Sequence, residues 1–430
     1  MDILLVNASP KIMTIHASLT PPLGLAYIAS VLMRAGYDVS AIDFNVGGLK
    51  PFVLEKFLEK ESPCILGIST HTETYLNGLK IAEIAKQVNP GITVVMGGTH
   101  PTVMYQEVAR ERNIDVVARG EGEYTMLELA DCFIRNKGSL AEIKGIAYQD
   151  NGTVKVAPER PFIEDPDELP FPARELFPLP LYGSPGTALI SRGGCPFNCH
   201  YCAVNNIWKG RRRFRKSEKV AEEIDYIIKH GQAQWINFAD DVFTLDRKRT
   251  VGLCDLLRDV KRFSKLRWLC TTRVDLVDEE LLEEMYEAGC YSVTYGVESG
   301  SQKILDAIGK KITLEQVRHA VRTTLDIGMK VTCFFMFPQP DDTEETIREQ
   351  IQLMKELKEM QARLVLSFTT PYPGTYYYEH ASELGIKALV DSWDEYQGRR
   401  LTITTKYLSE EKLNSLLEEL VRDVGLEISK

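Results

Sequence analysis

Two α/β units of different kinds are predicted: a flavodoxin-like (Rossmann-type) parallel sheet, then a partial (β/α)6 barrel with a small helical C-terminal segment. Three observations predict them. Over residues 1–145 short β-branched runs alternate with amphipathic helical patterns, the signature of parallel βαβ units. Eight of the chain's 20 prolines then fall between Pro158 and Pro185, a density that stiffens and extends a connector. From Thr187 six further strand–helix units can be read, which form an open barrel and not the closed eight-stranded one.

In chain order, the first unit offers strands at 3–6, 39–44, 65–69, 93–96 and 116–118, with apolar residues at helical spacing in 25–33 and 79–88. Ligands of such sheets sit beyond the carboxyl ends of the strands. The loops there, at 7–11, 69–73, 97–101 and 120–123, are polar or glycine-rich. No G-x-G-x-x-G follows the first strand, which argues against a dinucleotide. A hairpin turn, Asp150-Asn151-Gly152, opens the connecting segment 146–185. The barrel is expected over 186–385, with strands at 187–191, 234–239, 267–272, 291–297, 330–337 and 363–369. Residues 386–430 close the chain, and 409–423 reads as a helix with Ser409 as N-cap and Leu413, Leu416, Leu417 and Leu420 on one face.

Composition narrows the function. The length of 430 residues suggests two or three domains, and a net charge of −10 argues against general affinity for nucleic acid or anionic lipid. No apolar run approaches the roughly 18 to 20 residues of a membrane span. The chain opens on a strand, so no signal peptide is expected, and a cytoplasmic protein is the simple reading. Cys64, Cys132, Cys254, Cys270, Cys290 and Cys333 lie singly in apolar surroundings and read as reduced core residues. One basic run, 209–216, holds six cations in eight residues; a solvated face and a contact to an anionic group both remain open.

The chemistry is carried by Cys195, Cys199 and Cys202, spaced C-x3-C-x2-C after the first barrel strand. Gly193, Gly194, Pro196 and Asn198 make that segment a loop and not a core element. Three thiolates are a natural ligand set for a cubane iron–sulfur cluster, and they leave one iron open for a group outside the protein. Zinc, which would want a fourth Cys or His, and a chance grouping of thiols are the alternatives. Polar groups also follow the next three strands: Asp240-Asp241, Arg273 and Glu298-Ser299-Gly300.

The cysteine loop, with Tyr201 before its last thiol, closely resembles the signature of radical S-adenosylmethionine (SAM) enzymes. The Gly97-Gly98-Thr99-His100-Pro101-Thr102 and Arg119-Gly120-Glu121-Gly122-Glu123 turns extend the likeness over nearly the whole chain. So do Phe238-Ala239-Asp240-Asp241, Gly296-Val297-Glu298-Ser299-Gly300 and Thr370-Pro371-Tyr372-Pro373-Gly374-Thr375. Together they resemble the cobalamin-dependent (class B) members of that family. One departure stands out: the usual glycine-rich turn after the fifth barrel strand is here Phe337-Pro338-Gln339-Pro340-Asp341.

The resemblance implies a [4Fe-4S] cluster on the three cysteines, with SAM on the open iron. It places Tyr201 beside the adenine, Glu298 and Ser299 at the ribose or methionine, and Asp241 and Arg273 as further SAM contacts. Cobalamin is implied in the loops of the first sheet, at Ser9, Pro10, Ser69, Thr70, His71, Thr72, Glu73, Gly97, Gly98, Thr99, His100, Gly120, Glu121 and Gly122. The implied reaction is methylation of an unactivated carbon of a small or lipid-like substrate through a 5′-deoxyadenosyl radical. Methylcobalamin supplies the methyl, a second SAM restores it, and an external donor of flavodoxin or ferredoxin type supplies electrons.

Histidine ligation of cobalt is not expected. The D-x-H-x-x-G motif of histidine-ligating cobalamin proteins is not met around His16, where Thr14 replaces Asp and Leu19 replaces Gly. A ring-forming or carbon–carbon bond-forming radical enzyme without methyl transfer is the main rival. A tRNA methylthiotransferase would need a second cysteine triad that Cys64 and Cys132 cannot supply, and a non-catalytic cobalamin or redox sensor is a more distant option.

Overall fold

A computed structural model describes residues 1–10, 20–48, 50–183, 186–230, 233, 235–263 and 266–426. The His16 segment with Thr14 and Leu19 lies outside the described residues, as do Lys11, Pro185 and Gln234. The chain divides into two compact units, Met1–Thr187 and Ala188–Lys430.

In the first unit, β1 (Ile3–Asn7), β2 (Val39–Asp43), β3 (Ile65–Ser69), β4 (Thr93–Gly97) and β5 (Val116–Ala118) form a parallel sheet in the order β2-β1-β3-β4-β5. This is the flavodoxin-like order. The hairpin of β6 (Ile146–Asp150) and β7 (Thr153–Val156) adds two antiparallel strands beside β5, so it completes this sheet. Every residue of β1 is buried, because helices cover both faces of a parallel sheet. The proline-rich stretch packs on the same core through Ala173, Phe177 and Tyr182. The Tyr182 hydroxyl donates to Asp43 Oδ2 at 2.8 Å, and Asn7 Nδ2 donates to Asp43 Oδ1 at 2.9 Å.

In the second unit β8 (Thr187–Ala188) is short. Asp240 explains why the expected strand stops early: its carboxylate accepts from the backbone N–H groups of Ile190 and Ser191 at 2.8 and 2.9 Å and from Ser191 Oγ at 2.6 Å. The chain then turns into β9 (Ser191–Gly193), which pairs antiparallel with β10 (Arg212–Phe214) on the far side of the cysteine loop. The main sheet continues through β11 (Trp235–Phe238), β12 (Arg267–Thr272), β13 (Cys290–Glu298), β14 (Lys330–Phe337) and β15 (Arg363–Phe368) in simple consecutive order. Trp268 fills the middle of this core, edge-on to Phe238 with centroids 5.3 Å apart, and its indole N–H donates to the Ala288 carbonyl at 3.0 Å. The C-terminal helix Glu410–Val424 buries Leu413, Leu416, Leu420 and Val424, with Ser409 accepting from the Lys412 N–H as its cap; Leu417 only borders the core.

The structure corrects the sequence reading of the cysteines. Cys64 is exposed and Cys132 half-buried, so neither is a core residue. Cys254, Cys270 and Cys290 are not solitary either: the Cys270 thiol is hydrogen-bonded to Cys290 and pushed up by burial first, with Cys254 close enough to add to it. The basic run is also only in part a solvated face. Arg213 and Arg215 are buried, and Arg215 pairs with buried Glu223 while donating to the Leu189 carbonyl at 3.1 Å.

Candidate active site

The three cysteines lie on an irregular, half-buried loop between β9 and the short helix Val204–Trp208. Gly193 makes the loop possible: it sits at φ +88, and a Cβ there would meet the Arg211 carbonyl at 2.7 Å. The thiols are near enough to feel one another. Cys202 is pushed up to about 11 by burial first, then by Asp241, Cys199 and Cys195, and Cys195 is raised by burial and by Cys199 and Asp241. Such a grouping calls for a cationic partner that draws out the thiolates. Among the described residues no three His, Cys, Asp or Glu side chains converge on one ion. Three thiolates on one loop can each serve a different iron of a cubane.

A buried ammonium organises the neighbourhood. Lys310 Nζ stands 3.0 Å from Glu298 Oε1 and 3.4 Å from the Tyr201 hydroxyl. The β13–β14 ladder slips by one residue between Gly296 and Glu298, and Glu298 adopts φ +73, a left-handed conformation that side chains rarely take. Gly296 leaves room for the pair, because a Cβ there would come within 2.4 Å of Glu298 Oε1 and 2.9 Å of Lys310 Nζ. Backbone strain at a carboxylate fixed by one lysine beside the cysteine loop is the mark of a preorganised ligand site.

Arg273 is tied to the chain around it. Its guanidinium makes a bidentate pair with Asp275, at 2.9 Å for each bond, donates to the Lys310 carbonyl at 2.8 Å, and covers the Phe197 ring at 3.6 Å. It therefore fastens the cysteine loop to the Lys310 turn. Ser299 is buried and its Oγ accepts from the Ser301 N–H at 3.2 Å, while Asp241 is exposed beside Cys195 and Cys202. Gly300 packs against the helix Glu344–Glu359, where a Cβ would meet Gln350 Cα at 2.4 Å. Lys310 carried no signal in the sequence, since nothing in Gly309-Lys310-Lys311 distinguishes it from a surface lysine.

At the carboxyl end of the first sheet the groups are small. Thr70 donates its N–H to the Gly97 carbonyl at 2.9 Å, and its wholly buried Oγ1 has no hydrogen-bond partner among the described residues. Gly98 sits at φ +109, where a Cβ would be 2.2 Å from the Thr70 carbonyl oxygen. Gly97 lies against Ala118, and Gly120, at φ +75, has open space where a Cβ would be. Ser9 and Pro10 are buried, Ser69 ends β3, and Glu73 lies half-buried in the single turn Thr72–Thr74. His71 Nδ1 is 2.8 Å from Thr99 Oγ1, and His100 Nδ1 is 3.2 Å from Thr72 Oγ1. Burial pushes the His100 imidazole down to about 4, so it is neutral at pH 7. A close-set edge of glycine backbone and hydroxyls with an orphaned buried Oγ1 fits a large ligand held by hydrogen bonds, as cobalamin would be. Two residues have other reasons to be there. Glu121 Oε2 accepts from the Ile163 N–H at 2.7 Å and anchors the connector, and Gly122 makes room for Ile28, whose Cδ1 would be 2.7 Å from a Cβ.

Comparison with known proteins finds two families along the chain. Residues 12–130 match the B12 binding domain and residues 189–354 the radical SAM superfamily. The chain is 35% identical to an uncharacterized methyltransferase of Pyrococcus horikoshii, over 93% of this chain and 86% of that one. It is 30% identical to the anaerobic magnesium-protoporphyrin IX monomethyl ester cyclase of Rubrivivax gelatinosus, over 87% of this chain and 68% of the other. In fold it is similar to the radical SAM methyltransferase TsrM of Kitasatospora setae, at a TM-score of 0.77 and 18% identity, covering 99% of this chain and 89% of that one. The chain belongs to the cobalamin-dependent radical S-adenosylmethionine enzymes.

Proposed function

We propose that this enzyme methylates an unactivated carbon of a small or lipid-like molecule. The observation that carries the reading is the pairing in one chain of a three-cysteine loop, beside a preorganised Glu298–Lys310 pair, with a B12-binding sheet, in a protein whose 35%-identical relative is named an uncharacterized methyltransferase. When bound, the cluster and SAM supply a 5′-deoxyadenosyl radical that takes a substrate hydrogen, and cobalamin supplies the methyl group. The protein's share is to bind, orient and exclude water.

Cys195, Cys199 and Cys202 would hold three irons. Glu298, held by Lys310, offers its second carboxylate oxygen to a SAM hydroxyl or ammonium, and the Tyr201 ring would lie along the adenine. Asp240 and Arg273 work behind them, the first clamping the strand that leads into the cysteine loop and the second fastening the loop to Lys310. Thr70, Gly97, Gly98, His71, Thr99 and His100 would hold cobalamin, with Ser9, Pro10, Ser69, Thr72, Glu73, Gly120, Glu121 and Gly122 around them. In this reading residues 1–145 are the cobalamin domain and 186–385 the barrel that bears the cluster. The enzyme acts in the cytoplasm with an external flavodoxin- or ferredoxin-type donor. Its nine unpaired cysteines favour such a reducing setting. Among the described residues no helix is long and apolar enough to cross a membrane.

A second reading, ring formation without methyl transfer, is favoured by the 30% identity to the cyclase. The test is an anaerobic assay of the reconstituted enzyme with reductant, cobalamin and SAM carrying a deuterated methyl. Methyl transfer predicts 5′-deoxyadenosine together with label in the acceptor. Deoxyadenosine with an unlabelled, oxidised product would select ring formation, and no deoxyadenosine at all would overturn both.

A further inference from the structure

Two polar side-chain atoms at the mouth of the barrel, Gln339 Nε2 and Thr369 Oγ1, are buried with no hydrogen-bond partner among the described residues. Both residues are 0% exposed. They follow the neighbouring strands β14 and β15, held together at this point by the Thr369 N–H donating to the Phe337 carbonyl at 3.0 Å. Buried polar groups in native proteins are nearly always bonded, so a pair of orphans on adjacent strand ends needs a cause. The carboxyl ends of barrel strands are where ligands bind.

Gln339 is held firmly. Its backbone N–H donates to Asp342 Oδ2 at 2.6 Å, and its side-chain Oε1 accepts from the Tyr377 hydroxyl at 2.8 Å. Turning the amide over keeps a bond to Tyr377 and leaves the other end without a partner, so one pole is unused in either orientation. Tyr377 connects this amide to the cysteine loop, its N–H donating to the His200 carbonyl at 3.3 Å. Its phenol is raised by burial and by the charges of Asp342, Asp341, Cys199 and Glu298, which places it among the groups of the candidate site. This is the turn, Phe337-Pro338-Gln339-Pro340-Asp341, that departs from the family's glycine-rich pattern.

We propose that Gln339 is a SAM-contacting residue: its unused amide end, held in place by Tyr377, hydrogen-bonds SAM, and the Thr369 hydroxyl serves the same ligand from the next strand. Where the family uses a glycine-rich turn, this chain uses a side-chain amide. The partner atom belongs either to the purine or to the methionine carboxylate. The inference deepens the function proposed above and rests on it.

The experiment measures binding of SAM, 5′-deoxyadenosine and methionine, each separately, to the anaerobically reconstituted protein by equilibrium dialysis. Cluster absorbance and thermal unfolding are recorded beside it. Gln339→Met is expected to weaken SAM about tenfold with cluster absorbance unchanged. Its unfolding temperature should stay near wild type, because removing the unpaired amide end offsets the loss of the acceptor for the buried Tyr377 hydroxyl. A merely structural Gln339 would do the reverse, lowering stability and leaving affinity alone. Loss confined to 5′-deoxyadenosine assigns the purine, and loss confined to methionine assigns the carboxylate. Tyr377→Phe, which keeps the amide and removes its support, should weaken SAM several-fold and serves as the deciding variant if Gln339→Met does not fold. Wild-type affinity for all three ligands in these variants would overturn the inference alone. Failure of the wild-type protein to bind SAM would overturn the function proposed above and the inference with it.

Discussion

At the carboxyl end of the first sheet the loops carry glycine backbone, small hydroxyls and a neutral buried histidine, whereas at the mouth of the barrel they carry thiols, a carboxylate and an ammonium already paired with one another. Both are strand-end sites of parallel sheets, yet they fail differently. A site of backbone and hydroxyls depends on shape, so added volume damages it. A site of buried charges depends on partners, so it is damaged when one partner is removed and the other stays behind.

The largest effect is expected at the barrel. Cys199→Ala should abolish the broad visible absorption of the reconstituted cluster and all 5′-deoxyadenosine formation while cobalamin is still retained by the first sheet. Loss of both cofactors together would break the comparison. Next, Lys310→Met strands the buried Glu298 carboxylate, and breaking such a pair from one side costs about 3–5 kcal/mol. Chemical denaturation of the cluster-free protein should show it, and a loss below about 1 kcal/mol would mean that Glu298 reaches water.

Gly98→Ala tests the other end by volume. Left-handed strain costs about 1–3 kcal/mol, and the new methyl meets the Thr70 carbonyl, so cobalamin retention after gel filtration should fall while the cluster spectrum stays. Retention equal to wild type would remove these glycines from the cobalamin site.

The barrel's buried acids give a pH signature. Burial pushes the carboxyls of Asp240 and Asp342 up to about 6. The fold therefore binds these protons more tightly than the unfolded chain. The contribution is fully present below about pH 4 and is lost as pH rises to about 6. Asp342→Asn, which does not titrate, should gain stability relative to wild type across that window by about 1–3 kcal/mol, measured as the change in the urea midpoint between pH 4 and pH 7. A constant difference would show that Asp342 keeps an ordinary pKa.

The smallest effect is expected at His71. Its Nδ1 lies against Thr99 Oγ1, which suits a contact to the corrin edge or nucleotide tail. Paramagnetic resonance of the cob(II)alamin form should show no nitrogen superhyperfine splitting in wild type or in His71→Ala. Splitting present in wild type and lost in the variant would make His71 a cobalt ligand.

How much of this was legible depended on the distance along the chain over which each feature is set. The cysteine triad was plain because its spacing and its glycine- and proline-rich loop are local, and eight residues of chain, Cys195 to Cys202, cannot hold three thiols far apart. The βαβ periodicity was equally local, and it predicted both sheets. The edges blurred where side chains from elsewhere intervened. Asp240 ends β8 at Ala188 by capturing the amides of Ile190 and Ser191 some 50 residues before it, which no strand propensity foresees.

What the sequence by itself determined was therefore the pair of parallel sheets, the three-cysteine loop and the polar, glycine-rich loops at the strand ends, since periodicity, turn chemistry and cysteine spacing are properties of short segments. Only the tertiary structure decided which polar residues in those loops remain available. It committed Arg273 to Asp275 and Phe197, gave Glu121 to the connector, brought Lys310 to Glu298, and set Tyr377 against Gln339, 38 residues before it. A buried charge or amide takes whichever partner packing brings within about 3 Å, and that choice is made by the fold as a whole.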